Sequence, residues 1–344
     1  MQVTSSPPPE LQREEIERLL DREYGLSGVL TPLVSERDQN FRLDAVNGGR
    51  FVVKIANAAE ATVVTEFQIA ALRHLELANC PVLVPRVVPA MNGDYATSIM
   101  VGTTGHIVRV VTWVAGTPLG AGRPDTRLAR VLGESLAQLD AGLRGFEHPG
   151  ERQELLWDMQ RASELRDQII HAPEPALRER LARCFDEFEA RALPAFHALR
   201  HQVIHNDLNP GNVLVSGADA PSVSGVIDFG DMLRAPLVVD VAIAASYLRS
   251  DADAALEPAA ALAAGFAEVT PLDDDEVMLL RDLMRTRLAT SITMMYWRTA
   301  SRTDADEYLR KTLQDERSAE RFLDRLEGVT AEQFAELVRD AGRL

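Results

Sequence analysis

Cysteine is scarce in this chain of 344 residues, which has only Cys80 and Cys184. Two cysteines exclude a disulfide framework and a four-cysteine metal site, so we expect a protein of a reducing compartment, the cytoplasm. The longest apolar runs, such as residues 238–245, are interrupted by charge and too short to span a bilayer. The first residues lack the basic start and apolar core of a secretion signal. We therefore expect no membrane association.

Positive charge is also in short supply, because 36 lysine and arginine residues face 52 aspartate and glutamate residues, for a formal net charge of −16. This balance argues against non-specific binding of nucleic acid. It is compatible with a cationic small substrate. Acidity that simply keeps the protein soluble explains the charge equally well.

The first third of the chain is strand-rich. After residues 1–9, which we expect to be disordered, residues 10–24 show the pattern of an amphipathic helix. Asn-Gly-Gly between two strand-like runs is a strong hairpin signal. The further predicted elements are strands over 41–46, 50–55 and about 107–114, and a helix over 59–78. This composition predicts a small β-rich lobe over residues 10–115.

Helical patterns dominate the rest of the chain. The predicted helices cover residues 125–143, 155–170, 176–197, 238–248 and 258–266, and several more follow residue 273. We expect a linker over residues 113–119 and a larger, mainly helical lobe over residues 116–344. A crevice between two lobes is a common place for a ligand site.

Two polar clusters interrupt short β-branched runs in this helical part. The first is "VIHNDLNPGNVLV", residues 203–215, and the second is "GVIDFGD", residues 225–231. Asn212 and Asp228 offer the oxygen ligands that Mg²⁺ prefers. Asp207 is suited to accept a proton from an attacking hydroxyl group. A base, an Asn and an Asp for metal, and a lysine from the small lobe form the template for phosphoryl transfer.

The two clusters match the kinase signature H-R-D-L-x-x-x-N followed by D-F-G, except that Asn206 replaces the arginine. Taken singly, each has a simpler explanation, a polar turn or a strand end followed by a turn. Their agreement in order and spacing favours the kinase interpretation. It predicts an α+β, protein-kinase-like fold of two lobes.

The small lobe supplies a lysine at the expected place. Lys54 lies in the second strand of the predicted hairpin, and Glu66 on the following helix is its expected partner, with Glu60 as the fallback. A solvated helix glutamate is the alternative for Glu66. No glycine-rich loop precedes the first predicted strand, where "SERDQN" stands instead. Ser35 and Asn40 there are candidate contacts for phosphate oxygens, against the alternative of a plain loop.

The acceptor is predicted to be small. Only twelve residues separate Asp228 from Asp240, and Ala235-Pro236 is followed by leucine rather than glutamate. This leaves no room for an activation loop or a peptide platform. The long helical stretch over residues 119–202 is able to wall off a pocket for a small molecule.

The quoted clusters, together with "DVAIAASYL" and "SERDQNFRL…GRFVVKIAN", resemble the aminoglycoside phosphotransferase/choline kinase superfamily. Within it, the chain is most similar to the hydroxylysine kinase branch and to kinase domains fused to aminotransferases. The resemblance implies an ATP- and Mg²⁺-dependent kinase that phosphorylates a hydroxyl of a small, amine-bearing metabolite. It also implies a possible functional link to an aminotransferase, and leaves the oligomeric state open.

The resemblance also implies a role for each site residue. Asp207 would be the catalytic base, and Asp240 would brace its loop from the next helix, with a helix cap as the alternative. His205 would support the loop rather than react. The implied ligand contacts are Asn212 and Asp228 for Mg²⁺, Lys54 with Glu66 for phosphate, and the backbone of Thr112, Trp113 and Val114 for adenine.

Five residues are candidates for contact with the acceptor. Asp231 or Asp158 would pair with an ammonium group, and Trp157 would pack on it by a cation–π contact. Trp297 and Arg298 form a further pair, in which the arginine suits a carboxylate. The simpler roles are core aromatic residues for the tryptophans and a turn cap for Asp231.

Two other functions remain open from sequence. The chain would be an aminoglycoside antibiotic phosphotransferase or, in another class, a nucleotide-binding pseudokinase that regulates a partner enzyme. The presence of Lys54, Asp207, Asn212 and Asp228 together argues against the pseudokinase.

Overall fold

The structure is a computed structural model that describes residues 8–35, 37–120, 125–217, 222–249, 255–300 and 307–343, with residues 307–316 described as helical backbone only. The disorder expected at the N-terminus lies outside the described residues, apart from residues 8 and 9.

An antiparallel sheet forms the first lobe. Its strands run in the order β1-β2-β3-β6-β4, and β5 also pairs with β6. The predicted hairpin is confirmed, because β2 and β3 pair in register on either side of residues 46–49. The strands are β1 Gly28–Leu33, β2 Gln39–Ala45, β3 Arg50–Ile55, β4 Val87–Val88, β5 Thr97–Val101 and β6 Thr104–Thr112.

Strand β1 was not predicted from sequence. Its sequence, "GVLTPL", contains a glycine and a proline, which are unfavourable inside a sheet. Within the described residues the strand lies at the sheet edge and pairs with β2 alone. A proline, which has no backbone N–H group to donate, is therefore tolerated at position 32. The loop that joins β1 to β2 thereby comes to lie next to Lys54 on β3.

Two helices flank the sheet. Helix α1, Arg13–Leu19, continues as a π-helical turn over Leu20–Tyr24 and packs its apolar side on the sheet. Helix α2, Thr62–Leu77, instead joins the larger core of the second lobe through side chains such as Phe67 and Leu75. Burial of that apolar face ties the two lobes together.

The second lobe is mainly helical, as predicted. Residues 155–170, predicted as a helix, form a 3₁₀ helix over Met159–His171, and a π-helical turn at Phe188–Ala192 interrupts the helix predicted over 176–197. Its helices are α3 Thr126–Leu143, α4 Pro175–Glu187, α5 Leu193–Ala195, α6 Leu237–Ser246, α7 Glu257–Val269, α8 Asp274–Ala300, α9 Glu307–Glu327 and α10 Ala331–Ala341.

Short strands in this lobe present the two polar clusters. Strand β8, His201–Ile204, pairs with β11, Leu233–Pro236, and β9, Val213–Ser216, pairs with β10, Ser222–Val226. The pairing of β7, Thr117–Pro118, with β9 fixes the linker to this unit. The Asp207 loop therefore connects β8 to β9, the Asp228 loop connects β10 to β11, and both loops emerge side by side.

The predicted fold class, a protein-kinase-like α+β fold of two lobes, is confirmed. In the described residues, every helix is too short or too polar to cross a membrane.

We predict that Gly133→Ala destabilises the second lobe. A Cβ atom at Gly133 would overlap the carbonyl oxygen of Leu262, where α3 and α7 cross closely. We expect a loss of about 1–3 kcal/mol in the free energy of unfolding, because backbone cannot give way as a flexible side chain does. Urea denaturation measures this loss, and Gly328→Ala is the control, because Gly328 is exposed and an added Cβ atom there would make only ordinary van der Waals contacts. Equal stability of both variants would contradict the close crossing.

Candidate active site

A buried carboxylate anchors the Asp207 loop. Asp240, in the first turn of α6, accepts hydrogen bonds from the backbone N–H groups of His205 and Asn206, each at 2.8 Å. Asp240 is fully buried, so these bonds compensate for its desolvation. The bracing role that the resemblance implied for Asp240 is therefore observed.

Two residues of the site adopt left-handed backbone conformations. Asn206 and Asp228 both have φ of +63°, a conformation that asparagine and aspartate tolerate better than most side chains. The Asn206 side chain donates a hydrogen bond to the backbone oxygen of Asp231 at 3.0 Å. The replacement of the signature arginine by Asn206 thus suits both the strained backbone and a bond between the two loops.

His205 has a structural role, as predicted. Its ring is buried, its Nδ1 accepts the N–H of Asp207 at 3.3 Å, and its Nε2 lies 3.2 Å from the oxygen of Ile227. This pattern assigns the proton to Nε2. Burial lowers the pKa of His205, so the ring is neutral at physiological pH. It connects the Asp207 loop to the start of the Asp228 loop.

Two side-chain amides hold the carboxylate of Asp207 in place. Its Oδ2 accepts the side-chain amides of Asn209 and Asn212 at 2.9 and 2.8 Å. Burial, and next the charge of Asp231, raises the pKa of Asp207 to about 7, although Arg287 opposes this shift. A carboxylate with this pKa is a stronger base than an exposed aspartate.

Asp228 has the opposite character. The ammonium of Lys54 lies 3.5 Å from its Oδ1 and, as the largest cause, lowers the pKa of Asp228 to about 2. Asp228 is therefore ionised throughout the physiological range. This ion pair joins the two lobes, and 56% of the Asp228 side chain stays accessible in the cleft.

A cavity of about 470 Å³ brings the predicted groups together. Lys54 and Asn40 from the sheet, and Ser35 from the β1–β2 loop, line it together with Asp207 and Asp228. Asn40 is the cross-strand neighbour of Lys54. Asn212 lies just behind this surface, buried and bonded to Asp207.

Helix α2 does not place Glu66 in this cavity. Glu66 lies on the exposed face of the helix, and no ion pair between it and Lys54 forms among the described residues. The predicted pairing of Glu66 with Lys54 was therefore wrong, because Glu66 lies on a face of the helix that points away from the cavity. Gln68, two residues further, lines the cavity and accepts a hydrogen bond from Arg109, the other cross-strand neighbour of Lys54. Glu60, the predicted fallback, also lines the cavity.

The five acceptor candidates separate into two groups. Asp231, Trp157 and Arg298 line the cavity. Asp158 does not, because its carboxylate caps the 3₁₀ helix by accepting the N–H of Gln160 at 2.9 Å. Trp297 is also outside, packed against the main hydrophobic core. The structure therefore does not bring these last two residues into the cavity with Asp207 and Asp228.

The linker keeps one backbone donor unused. The N–H groups of Thr112 and Trp113 donate to the oxygens of Arg86 and Arg50 at 2.8 and 3.0 Å. The Val114 N–H has no partner among the described residues. Of the three predicted adenine contacts, Val114 is thus the residue whose backbone donor is without a protein partner in the described part of the chain.

Two arginines of the site escaped the sequence analysis. Arg287, buried on α8, donates to the Trp157 oxygen at 3.1 Å and lies 3.7 Å from Asp207. Arg37, in the β1–β2 loop, pairs with Asp231 at 2.7 Å. In a chain with 34 arginines nothing local distinguishes these two, whereas Lys54 is one of only two lysines.

A second carboxyl group lies behind the loop anchor. Asp140, buried on α3, lies next to Asp240, and neither of its carboxyl oxygens has a hydrogen-bond donor among the described residues. Burial, and then the charge of Asp240, raises the pKa of Asp140 well above its ordinary value. Burial raises the pKa of Asp240 as well, so we infer that the two carboxyl groups share a proton and assign that proton to Asp140.

A β-rich lobe with a lysine, facing a helical lobe that presents a loop-held aspartate and a second, ionised aspartate, defines the phosphotransferases of protein-kinase-like fold. The expected class, a phosphotransferase acting on alcohol groups, is confirmed.

Comparison with known proteins identifies the family. The chain belongs to the phosphotransferase enzyme family, which matches residues 29–280. It is 26% identical to the hydroxylysine kinase of Danio rerio over 321 residues, covering 89% of both chains. The fold is similar to a microcompartment-associated aminopropanol kinase, with a TM-score of 0.71, 19% identity and coverage of 92% of this chain and 98% of that chain. The fold is also similar to that of an amicoumacin kinase in complex with AMP-PNP, Ca²⁺ and Ami. The TM-score is 0.66 and the identity 14%, over 95% of this chain and 94% of that chain.

We predict that Asp140→Asn reduces the pH dependence of stability. Below the ordinary aspartate pKa of about 4, the proton of Asp140 contributes its full stabilisation to the free energy of unfolding. As the pH rises from there towards the raised pKa, this stabilisation is lost by up to about 1.4 kcal/mol per pH unit. An asparagine donates the same bond without a titrating proton. Relative to the native protein, the variant should gain stability between pH 5 and pH 8 in urea denaturation. Surface Asp21→Asn is the control, and a pH-independent difference for Asp140→Asn would contradict the assignment.

Proposed function

We propose that the protein transfers the γ-phosphoryl group of ATP to a hydroxyl of a small amine-bearing metabolite, such as a hydroxylysine-like amino acid or an amino alcohol. The observation that carries the proposal is the ion pair between Lys54 and Asp228 across the same cavity that Asp207 lines. These are a phosphate-binding cation, a metal-binding carboxylate and a base within one cleft.

Asp207 would act as the base. As the acceptor hydroxyl loses its proton to Asp207, its oxygen forms a bond to the γ-phosphorus, the bond from that phosphorus to the β–γ bridging oxygen breaks, and ADP leaves. Asn209 and Asn212 hold the receiving carboxylate in place. Positioning of this kind accounts for much of the catalysis of phosphoryl transfer.

The residues present fit a Mg²⁺ ion. Asp228 is ionised and accessible, and the N–H of Ile227, the residue before it, donates to the backbone oxygen of Asn212 at 2.9 Å, so the two loops adjoin. A carboxylate and an amide offer the hard oxygen donors that Mg²⁺ prefers. Asp228 and Asn212 would hold the ion. When bound, Mg²⁺ would neutralise charge on the phosphate oxygens.

The N-lobe residues would hold the nucleotide. Lys54 faces the cavity and is suited to phosphate oxygens, and Ser35 and Asn40 line the same wall. The unused N–H of Val114 suits the adenine edge. The exposed position of Glu66 leaves Asp228 as the acidic partner of Lys54 until phosphates replace it.

The names of the similar proteins support an acceptor with both an amine and a hydroxyl group. Hydroxylysine and aminopropanol, which name two of the similar proteins, both carry these groups. The cavity of about 470 Å³ also has to take the terminal phosphate, which leaves space for a small acceptor. A large antibiotic substrate is therefore less favoured than an amino alcohol.

We predict that the native protein releases ADP from Mg²⁺-ATP in the presence of hydroxylysine or 1-amino-2-propanol, and that Asp207→Asn lowers kcat by about 10²–10⁴-fold. Loss of the base removes the proton acceptor but leaves the nucleotide contacts, so calorimetry should show similar ATP affinity. Asp158→Asn is the matched control, because Asp158 lies outside the cavity and asparagine also caps helices. Full turnover by Asp207→Asn would overturn the base assignment, and no ADP release with any acceptor would favour the pseudokinase.

We also predict an acidic limb in the pH profile. Below about pH 7 Asp207 becomes protonated, so kcat/KM for the acceptor should fall about tenfold per pH unit and level off above that value. The charge of Asp231 contributes to the raised pKa, so the midpoint should move to lower pH in Asp231→Asn. A profile that is flat from pH 5.5 to 8.5 would contradict a titrating Asp207.

A further inference from the structure

One cation from the N-lobe reaches across the cleft into the C-lobe. The Nη2 of Arg37 lies 2.7 Å from the Oδ1 of Asp231, and its guanidinium carbon lies 5.7 Å from the centre of the Trp157 ring. A carboxylate next to an indole face is a binding site for an organic cation. Here a side chain of the protein occupies that site.

The surroundings fit this guanidinium. A Cβ atom on Gly230 would lie 3.2 Å from Arg37 Nη2, so the glycine leaves the space that the cation uses. Asn57 anchors the backbone of the β1–β2 loop, because its side-chain amide donates a hydrogen bond of 3.1 Å to the backbone oxygen of Arg37. The side chain is therefore able to leave Asp231 while its backbone stays in place.

Arg37 also stands at a boundary between two cavities. The active-site cavity of about 470 Å³ and a neighbouring one of about 530 Å³ share Arg37, Glu60 and Trp157 in their walls. Asp207 lines the first cavity together with Asp231, and the charge of Asp231 raises the pKa of Asp207. A cation held by Asp231 therefore lies close to the base.

We propose that Asp231 and Trp157 form the binding site for the acceptor's primary ammonium group, and that Arg37 fills this site until the acceptor displaces it. This rests on the proposed kinase function, because an acceptor held there presents its hydroxyl towards Asp207. Arg37 is then a specificity-determining residue. It lowers the apparent affinity for amines by the fraction of time that it occupies the site. A neutral alcohol gains no ion pair with Asp231 and does not compete with Arg37, so loss of Arg37 favours the amine alone.

The test compares 1-amino-2-propanol with 1,2-propanediol, which differ in the amine. We expect Arg37→Ala to raise the ratio of kcat/KM for amine over diol by about five- to tenfold, on the scale of a partly exposed ion pair. Asp231→Asn should lower that ratio by at least about tenfold. Exposed Arg22→Ala is the control for loss of an N-lobe arginine. Methylguanidinium should inhibit Arg37→Ala competitively with the amine.

Binding without turnover separates this inference from the proposed function. The indole N–H resonance of Trp157, assigned with Trp157→Phe, should shift on titration with 1-amino-2-propanol, and at lower concentration in Arg37→Ala than in the native protein. A shift without ADP release would retain the ammonium site and reject the kinase. Phosphorylation of the amine with an unchanged ratio in Arg37→Ala and Asp231→Asn would reject the site and leave Arg37 as a fixed contact between lobes.

Discussion

The buried carboxylate of Asp240 is the contact on which the active site depends. It binds two consecutive N–H groups of the Asp207 loop, and the residues that carry them, His205 and Asn206, each reach the Asp228 loop. One carboxylate thus sets the relative position of both loops. A buried charge is unfavourable unless it accepts hydrogen bonds. A shift of the Asp207 loop would break these bonds and leave the buried carboxylate of Asp240 without them. The proton on Asp140 supplies the remaining partner.

Charge then differentiates two aspartates that look alike in sequence. Lys54 lowers the pKa of Asp228, whereas burial and the charge of Asp231 raise the pKa of Asp207. Opposite pKa shifts in neighbouring carboxyl groups distinguish a carboxylate that is able to accept a proton near neutral pH from one that stays ionised. The shift of Asp228 depends on the N-lobe, because Lys54 comes from β3. The pairing of the lobes is therefore part of the chemistry, and Arg37 adds a second connection between them at Asp231.

The motif residues were predictable from the sequence, but their surroundings were not. The hairpin that carries Lys54 and the loops of Asp207 and Asp228 were predictable because turn residues and β-branched runs lie close together along the chain. Helix α2 was predictable as a helix, but its rotation about its axis was not. Glu66 and Gln68 are two residues apart, which is about 200° around the helix axis, so they lie on different faces. Gln68 rather than Glu66 consequently faces Lys54's sheet. The edge strand β1 was missed because a proline there is compatible with one-sided pairing only.

The fold class, the family resemblance and the proposed base and metal-binding pair were all readable from short runs of neighbouring residues. Which arginines enter the cleft became clear from the folded chain alone. Arg37 and Arg287 lie 250 residues apart on a loop and a helix of different lobes, and arginines of this chain are too numerous to distinguish by type. Their roles arise from contacts between distant segments, which depend on packing and not on local pattern.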